Sequence, residues 1–223
     1  MAEKSSIEWT EATWNPITGC TLVSDGCRHC YAARLAATWL KHHPSRKGLA
    51  RLNAAGEAKF TGEVRFNEEW LTQPLRWQRP RMIFVCAHGD LFHESVPDEW
   101  IDRVFAVMAL SYQHTFQVLT KRSKRMRRYL AENDMAARIA PVGARMMEDG
   151  DAVYSWLRWQ EWPLANVWLG VSAEDQATAD WRIPDLLATP AAIRFVSAEP
   201  LLGPIDFYAT SAAMPNEGHP WRN

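Results

Sequence analysis

The chain has no apolar run approaching the ~20 residues that a membrane-spanning helix requires, and no segment resembling a secretory leader. It has no surplus of charge: 25 Lys and Arg against 26 Asp and Glu leave a formal net charge of -1. That excludes a simple polycationic nucleic-acid binder, although not a local basic patch. With 47% hydrophobic and 23% charged residues, it is not an intrinsically disordered chain. Cysteine is scarce, four in 223 residues, so a disulfide-dense miniprotein is excluded too. The expectation is a cytoplasmic globular protein, with ample material for one sizeable core.

Against these absences, tryptophan is abundant at twelve. Short runs rich in β-branched and aromatic residues recur. Met82 to Cys86, Thr115 to Leu119, Val167 to Val171 and Ile193 to Val196 read as strands, with Glu63 to Phe66 a weaker one and a first near Thr13 to Thr18. They are continuously apolar rather than alternating, which predicts strands covered on both faces, as in parallel sheets. The spacing between them predicts helices over Tyr31 to His43, Glu68 to Gln78, a stretch opened by Pro97-Asp98-Glu99, Ser123 to Leu130, and Ala177 to Leu187. About six alternations of strand and helix predict βα repeats forming a parallel sheet or partial barrel. Residues 1–207 read as one domain, with Lys47 to Thr61 a loop, residues 136–163 a helical insertion, and residues 208–223 an irregular tail.

Three of the four cysteines, Cys20, Cys27 and Cys30, lie on one short segment with the spacing C-x6-C-x2-C. In a reducing compartment clustered thiols read as metal ligands or reactive groups before disulfides. Three thiolates from one loop can hold three irons of a [4Fe–4S] cluster and leave the fourth iron open to a small molecule. A structural zinc site completed by His29, or better by the more distant His42 or His43, is the alternative. Gly19 and Gly26 precede Cys20 and Cys27, where a loop wrapping a cluster calls for permissive backbone. Cys86, alone in an apolar run, reads as a core residue.

Asn15-Pro16-x-x-Gly19-Cys20 followed by Gly26-Cys27-x-x-Cys30-Tyr31-Ala32 resembles the cluster loop of radical S-adenosylmethionine (SAM) proteins, in particular the spore photoproduct lyase branch. A phage- and prophage-borne three-cysteine-motif family is similar over more of the chain. The resemblance there extends through Asp90-Leu91-Phe92-His93-Glu94, Leu119-Thr120-Lys121-Arg122, Val167 to Glu174, and Arg194 to Pro204. It implies a partial (β/α)6 barrel of radical-SAM type, with a cluster loop at residues 19–31 and the site at the C-terminal strand ends. Cys20, Cys27 and Cys30 would be the cluster ligands. Tyr31, Asp90, Lys121, Ser172 and Glu199 would meet SAM: Tyr31 by stacking, Lys121 at the carboxylate, and Ser172 at the ribose or carboxylate. The implied chemistry is reductive cleavage of SAM to a 5′-deoxyadenosyl radical, with a flavodoxin- or ferredoxin-like reductant. The chain departs from the superfamily in its C-x6-C gap, longer than C-x3-C. Asn67-Glu68-Glu69 stands where many members carry Gly-Gly-Glu, and no Gly-rich segment follows the last strand.

Lys121, Arg122, Lys124, Arg125, Arg127 and Arg128 form a dense basic run at a helix start. Beside a site rim they would contact phosphates of a nucleic acid or nucleotide; a solvated helix face is the alternative. His93 and Glu94 could ligate metal or simply form a turn. A non-catalytic iron–sulfur or zinc-stabilised phage protein that binds a partner protein is the competing class.

Overall fold

A computed structural model describes residues 5–131 and 134–212. Five strands, β1 (Ala12–Trp14), β6 (Met82–Val85), β7 (Thr115–Thr120), β8 (Val167–Ser172) and β9 (Ile193–Ser197), form one sheet in that order, every neighbouring pair parallel. The mixed α/β architecture with a central parallel sheet agrees with the continuously apolar strands.

The two faces of the sheet have different work. Ala12, Ile83, Phe116 and Val167 lie in register, as do Trp14, Val85, Val118 and Leu169, and all are buried. They share one core with α3 (Asp98–Leu110), α4 (Ser123–Leu130), α5 (Met135–Met146) and α7 (Gln176–Leu187). Burying each large apolar side chain there is worth about 1.5–3 kcal/mol. Trp14 brings a polar atom into this core and satisfies it, its Nε1–H donating to Trp70 O at 2.8 Å. By strand alternation the opposite face carries Phe84, Gln117, Leu119, Gly170, Phe195 and Ser197. Trp9 lies across it, its ring centroid 4.8 Å from Phe84 and 6.3 Å from Phe195.

Helix starts follow local chemistry. Asp98 and Glu99 occupy the first turn of α3, where carboxylates oppose the positive dipole end. Asp175 caps α7, its Oδ1 accepting from the Thr178 amide at 2.8 Å while Thr178 Oγ1 accepts from the Asp175 amide at 3.1 Å. α5 and α6 (Gly150–Arg158) pack together between α4 and β8. Among the described residues, no helix is long and apolar enough to cross a membrane.

Several expectations are corrected. The first strand stops at Trp14, and Ile17–Thr18 forms a separate β2 that pairs antiparallel with β5 (Arg65–Phe66), so the Glu63–Phe66 stretch lies outside the parallel sheet. The region 47–61, read as a loop, holds an antiparallel pair, β3 (Ala50–Leu52) with β4 (Ala58–Phe60). Helix α1 (Tyr31–Ala37) ends well before His43, and α2 (Glu68–Leu71) gives way to a 3-10 turn containing Pro74, which has no N–H to donate. Helix α8 (Phe207–Ala212) takes up residues 208–212 of the expected irregular tail and packs on α7; residues 213–223 of that tail lie outside the described residues.

Candidate functional site

Beyond the C-terminal ends of β7, β8 and β9 lies a cleft of about 650 Å³. Cys27, Cys30, Tyr31, Lys121, Ser172 and Glu199 all line it, with Trp9, Phe84 and Leu119 as an apolar wall. Residues far apart in the chain therefore meet on one surface. Cys20 and Asp90 do not line it.

The cysteine loop is moored on the far side of Lys121 by a buried ion-pair cluster. Asp90 Oδ1 accepts from Thr120 Oγ1 at 2.7 Å and from the Phe92 amide at 2.9 Å; its Oδ2 accepts from Arg122 Nη1 at 3.0 Å. Arg122 also donates from Nε to Glu94 Oε2 at 2.8 Å and from Nη2 to Thr21 Oγ1 at 2.6 Å. His93, 2% exposed, receives the Ser95 amide on Nδ1 at 3.1 Å, so its Nε2–H donates to Thr21 Oγ1 at 3.0 Å. His93 and Glu94 thus hold the residue after Cys20. Asp90 is a positioning group for this cluster rather than part of the cleft lining.

Cys20 joins the same cluster. Its Sγ accepts from Arg122 Nη1 at 3.5 Å and lies 3.4 Å from Thr21 O. Burial, reinforced by the Asp90 charge, pushes this thiol up to about 12 despite Arg122. Cys30 sits at the N-cap of α1; burial raises it as well, opposed by the Ala33 and Ala32 amides and by the Lys121 charge. Among the described residues, no three His, Cys, Asp or Glu side chains are gathered as a metal-ligand set. Cys20 turns to Arg122 while Cys27 and Cys30 face the cleft. The donor chemistry nevertheless fits a soft, anionic cluster: three thiols on one loop, with the Arg122 charge opposing the effect of burial at Cys20 and the Lys121 charge opposing it at Cys30. The zinc alternatives fare worse. His29 lines the cleft with Cys27 and Cys30 but completes no gathered set, His42 is exposed, and His43 is hydrogen-bonded to Ser45 beside a different pocket.

Behind Lys121, outside the cleft lining itself, lies a group to which sequence reasoning assigned no role. Glu174, two residues beyond β8 and 1% exposed, is ion-paired with Lys121 through Oε1. Its Oε2 accepts from Arg182 Nη1 at 2.9 Å, and Ser24 Oγ donates to Oε1 at 2.9 Å. Burial pushes its carboxyl up most strongly, but Lys121, Arg182 and Ser24 together outweigh burial and hold it below the ordinary value. Its place in the strand-end run Val171-Ser172-Ala173-Glu174 was the available signal; its partners were not. Asn67-Glu68-Glu69 does not line the cleft. Asn67 Nδ2 donates to Asn15 O at 3.0 Å, and Glu68 is paired with Arg103.

The basic run divides. Lys121 and Arg122 are ion-paired as described; Arg125 pairs with Asp98 at 2.9 Å and Arg127 with Asp185 at 3.3 Å. Lys124, Arg127 and Arg128 are exposed and line a second groove of about 600 Å³, into which the half-exposed Trp181 also projects.

No curated protein and no solved structure matches the chain. Residues 4–213 match the family described as "Protein of unknown function (DUF5131)", and the chain belongs to that family.

Proposed function

We propose that the protein is a radical SAM enzyme, its parallel sheet part of a (β/α)6-type partial barrel, with a [4Fe–4S] cluster held by Cys20, Cys27 and Cys30. The observation that carries this reading is the single cleft at the C-terminal strand ends, lined together by Cys27, Cys30, Tyr31, Lys121, Ser172 and Glu199. Its volume of about 650 Å³ lies within the range of small-molecule sites. Sequential order of the five parallel strands, with helices packed on one face, supports the barrel topology.

When bound, the cluster supplies an electron that cleaves SAM to methionine and a 5′-deoxyadenosyl radical. The chain's own residues bind and orient. Lys121 would exchange its pairing with Glu174 for the carboxylate of SAM, and Glu174 would remain charge-balanced by Arg182. The Ser172 hydroxyl and the Glu199 carboxylate would hold polar groups of the bound molecule, and the Tyr31 ring would stack on it. Tyr31 is oriented for this by its hydroxyl, which donates to Ala87 O at 2.6 Å. Trp9, Phe84 and Leu119 exclude water from one wall. The electron would come from a flavodoxin- or ferredoxin-like reductant. A cytoplasmic location suits thiols that must stay reduced. The groove carrying Lys124, Arg127, Arg128 and Trp181 suits a nucleic-acid substrate, with cations on phosphates and an aromatic ring for a base.

A second reading rests on the exposed aromatic surface near the α5–α6 region: Tyr112 is 70% and Trp159 87% exposed, and the Trp156 ring lies tilted against Tyr112 with centroids 5.9 Å apart. Such a patch suits a partner protein, in a non-catalytic phage protein stabilised by iron–sulfur or zinc.

Anaerobic reconstitution with iron and sulfide, followed by reduction and assay for 5′-deoxyadenosine, separates the two. The first reading expects about four irons per chain, cluster absorbance and SAM cleavage abolished by Cys30→Ala. One zinc with no iron, or cleavage surviving Cys30→Ala, overturns it.

A further inference from the structure

A separate pocket of about 300 Å³ opens beside β1, its walls including Asn15, His43, Ser45, Arg46, Trp70 and His88. It is built around a buried cation that has no counter-charge among the described residues. Arg46 is 4% exposed, and among the described residues no carboxylate lies within ion-pair distance of it. Its Nε donates to His88 Nδ1 at 3.2 Å and its Nη1 to Ser45 Oγ at 2.6 Å, while its guanidinium carbon stands 5.7 Å from the centroid of the Trp70 ring. Its Nη2 has no hydrogen-bond partner among the described residues.

The neighbouring rings are forced into the same polarity. His88 accepts from Arg46 on Nδ1, so its proton resides on Nε2. Burial and the Arg46 charge keep this ring neutral, pulling it down to about 4. His43 Nδ1 receives the Ser45 amide at 3.3 Å and meets Ser45 Oγ at 2.7 Å, so its proton is on Nε2 as well. Neither Nε2–H finds an acceptor among the described residues. Ser45 Oγ is already engaged by Arg46 and His43, and Asn15 Oδ1 by the His88 amide at 2.9 Å. Burial, with a smaller repulsion from nearby Arg65, draws the Arg46 guanidinium down to about 10 against the opposing effect of Cys86. The pocket thus presents donors without protein acceptors, that of His43 at its exposed rim, around a buried positive charge, which burial penalises unless an anion completes it.

We propose that this pocket binds a small-molecule oxyanion, a carboxylate or phosphate group, on Arg46 Nη2 and the Nε2–H groups of His43 and His88. A pocket of about 300 Å³ is of a size that suits a small molecule. His88 stands edge-on to Tyr31 with ring centroids 6.1 Å apart, and Tyr31 lines the cleft, so the bound anion would sit directly behind one cleft wall. The inference does not depend on the radical reading of that cleft.

The test uses the full chain in thermal unfolding and calorimetric titration, with inorganic phosphate and acetate added separately against chloride at matched ionic strength. A saturable rise in Tm with either anion is expected: a response to phosphate alone assigns a phosphate ligand, and to acetate alone a carboxylate. Arg46→Met should abolish the response, and His88→Leu should weaken it about tenfold, the loss of one hydrogen bond to a charged group. If Arg46→Met does not fold, Arg46→Lys decides, since it keeps the charge and loses the planar fork; an affinity at least fivefold weaker is expected (roughly 1 kcal/mol). Lys121→Met, which removes the cleft's cation, should leave binding unchanged. No saturable response to either anion, an unchanged response in Arg46→Lys, or loss of the response in Lys121→Met overturns the proposal.

Discussion

Glu174 and Arg182 are joined behind Lys121, Oε2 to Nη1 at 2.9 Å, with side chains 1% and 0% exposed. Arg182 also donates from Nη1 to Ser172 O at 2.7 Å, so the pair ties the end of β8 to the first turns of α7. Through its other oxygen Glu174 reaches Lys121 and Ser24. One carboxylate therefore connects the strand end, the basic residue of the cleft and the cysteine loop.

Glu174→Gln should be strongly destabilising. It leaves the Arg182 charge buried without its partner, a loss of about 3–5 kcal/mol. Urea unfolding followed by tryptophan fluorescence measures it; a loss under 1 kcal/mol would mean that Arg182 finds other compensation.

Gly26→Ala should disturb the same junction from the opposite side. A Cβ at Gly26 would stand 2.5 Å from Glu174 Oε1, and that carboxylate is held by three partners and cannot retreat freely. The expected loss is about 1–3 kcal/mol, typical of overpacking, together with reduced iron incorporation relative to the parent chain. Full stability and full iron loading in Gly26→Ala would contradict the close approach.

Stability should fall on acidification, in two stages of the same sign. Burial depresses His88 to about 4 in the folded chain against an ordinary 6.5, so the unfolded chain binds more protons between those values and stability declines as pH falls through that interval. His93 and His114, also lowered chiefly by burial, act in the same direction. Glu174, held below its ordinary 4.5, contributes stability that is present above that value and lost below it. Unfolding midpoints measured from pH 7 to 3 should trace this decline, with a shallower slope between pH 6.5 and 4 in His88→Gln. A pH-independent midpoint would refute it.

The basic run should separate into structural and binding charges. Reversing exposed Lys124 and Arg128 to Glu should leave the fold intact and reduce the salt-dependent affinity for single-stranded DNA. Trp181→Ala should cost about 1–3 kcal/mol of that affinity, the worth of one stacked base. Arg122→Glu should instead unseat the Asp90–Thr21 cluster and lower Tm. Gel-shift titrations at two salt concentrations, beside thermal melts, distinguish these effects; equal DNA affinity in the Lys124 and Arg128 variants would remove the nucleic-acid groove.

The glycines of the cysteine loop show how far local reasoning reaches. Permissive backbone was the expectation for both. Gly19 does adopt a left-handed φ of +96°, in keeping with its place in a wrapping loop. Gly26 has no such angle and is required by the approach of Glu174, a residue remote in sequence. Cys86 divides similarly. Its apolar run indicated burial, and it is 3% exposed, but its positive φ of 58°, which ends β6 and starts the turn toward Asp90, had no local signal.

Taken alone, the sequence determined the parallel α/β character, the places of the main strands, the three-thiol loop and the polar residues at strand ends. Those follow from periodicity and spacing, which are written over a few residues at a time. Tertiary structure alone decided which of these polar groups face the cleft. It turned Cys20 toward Arg122, set Asp90 behind the wall, buried Glu174 between Lys121 and Arg182, and left Arg46 without an acid among the described residues. The reason is electrostatic: a buried charge is stable only beside the partner that folding brings to it, and that partner is chosen by position in space, not by distance along the chain.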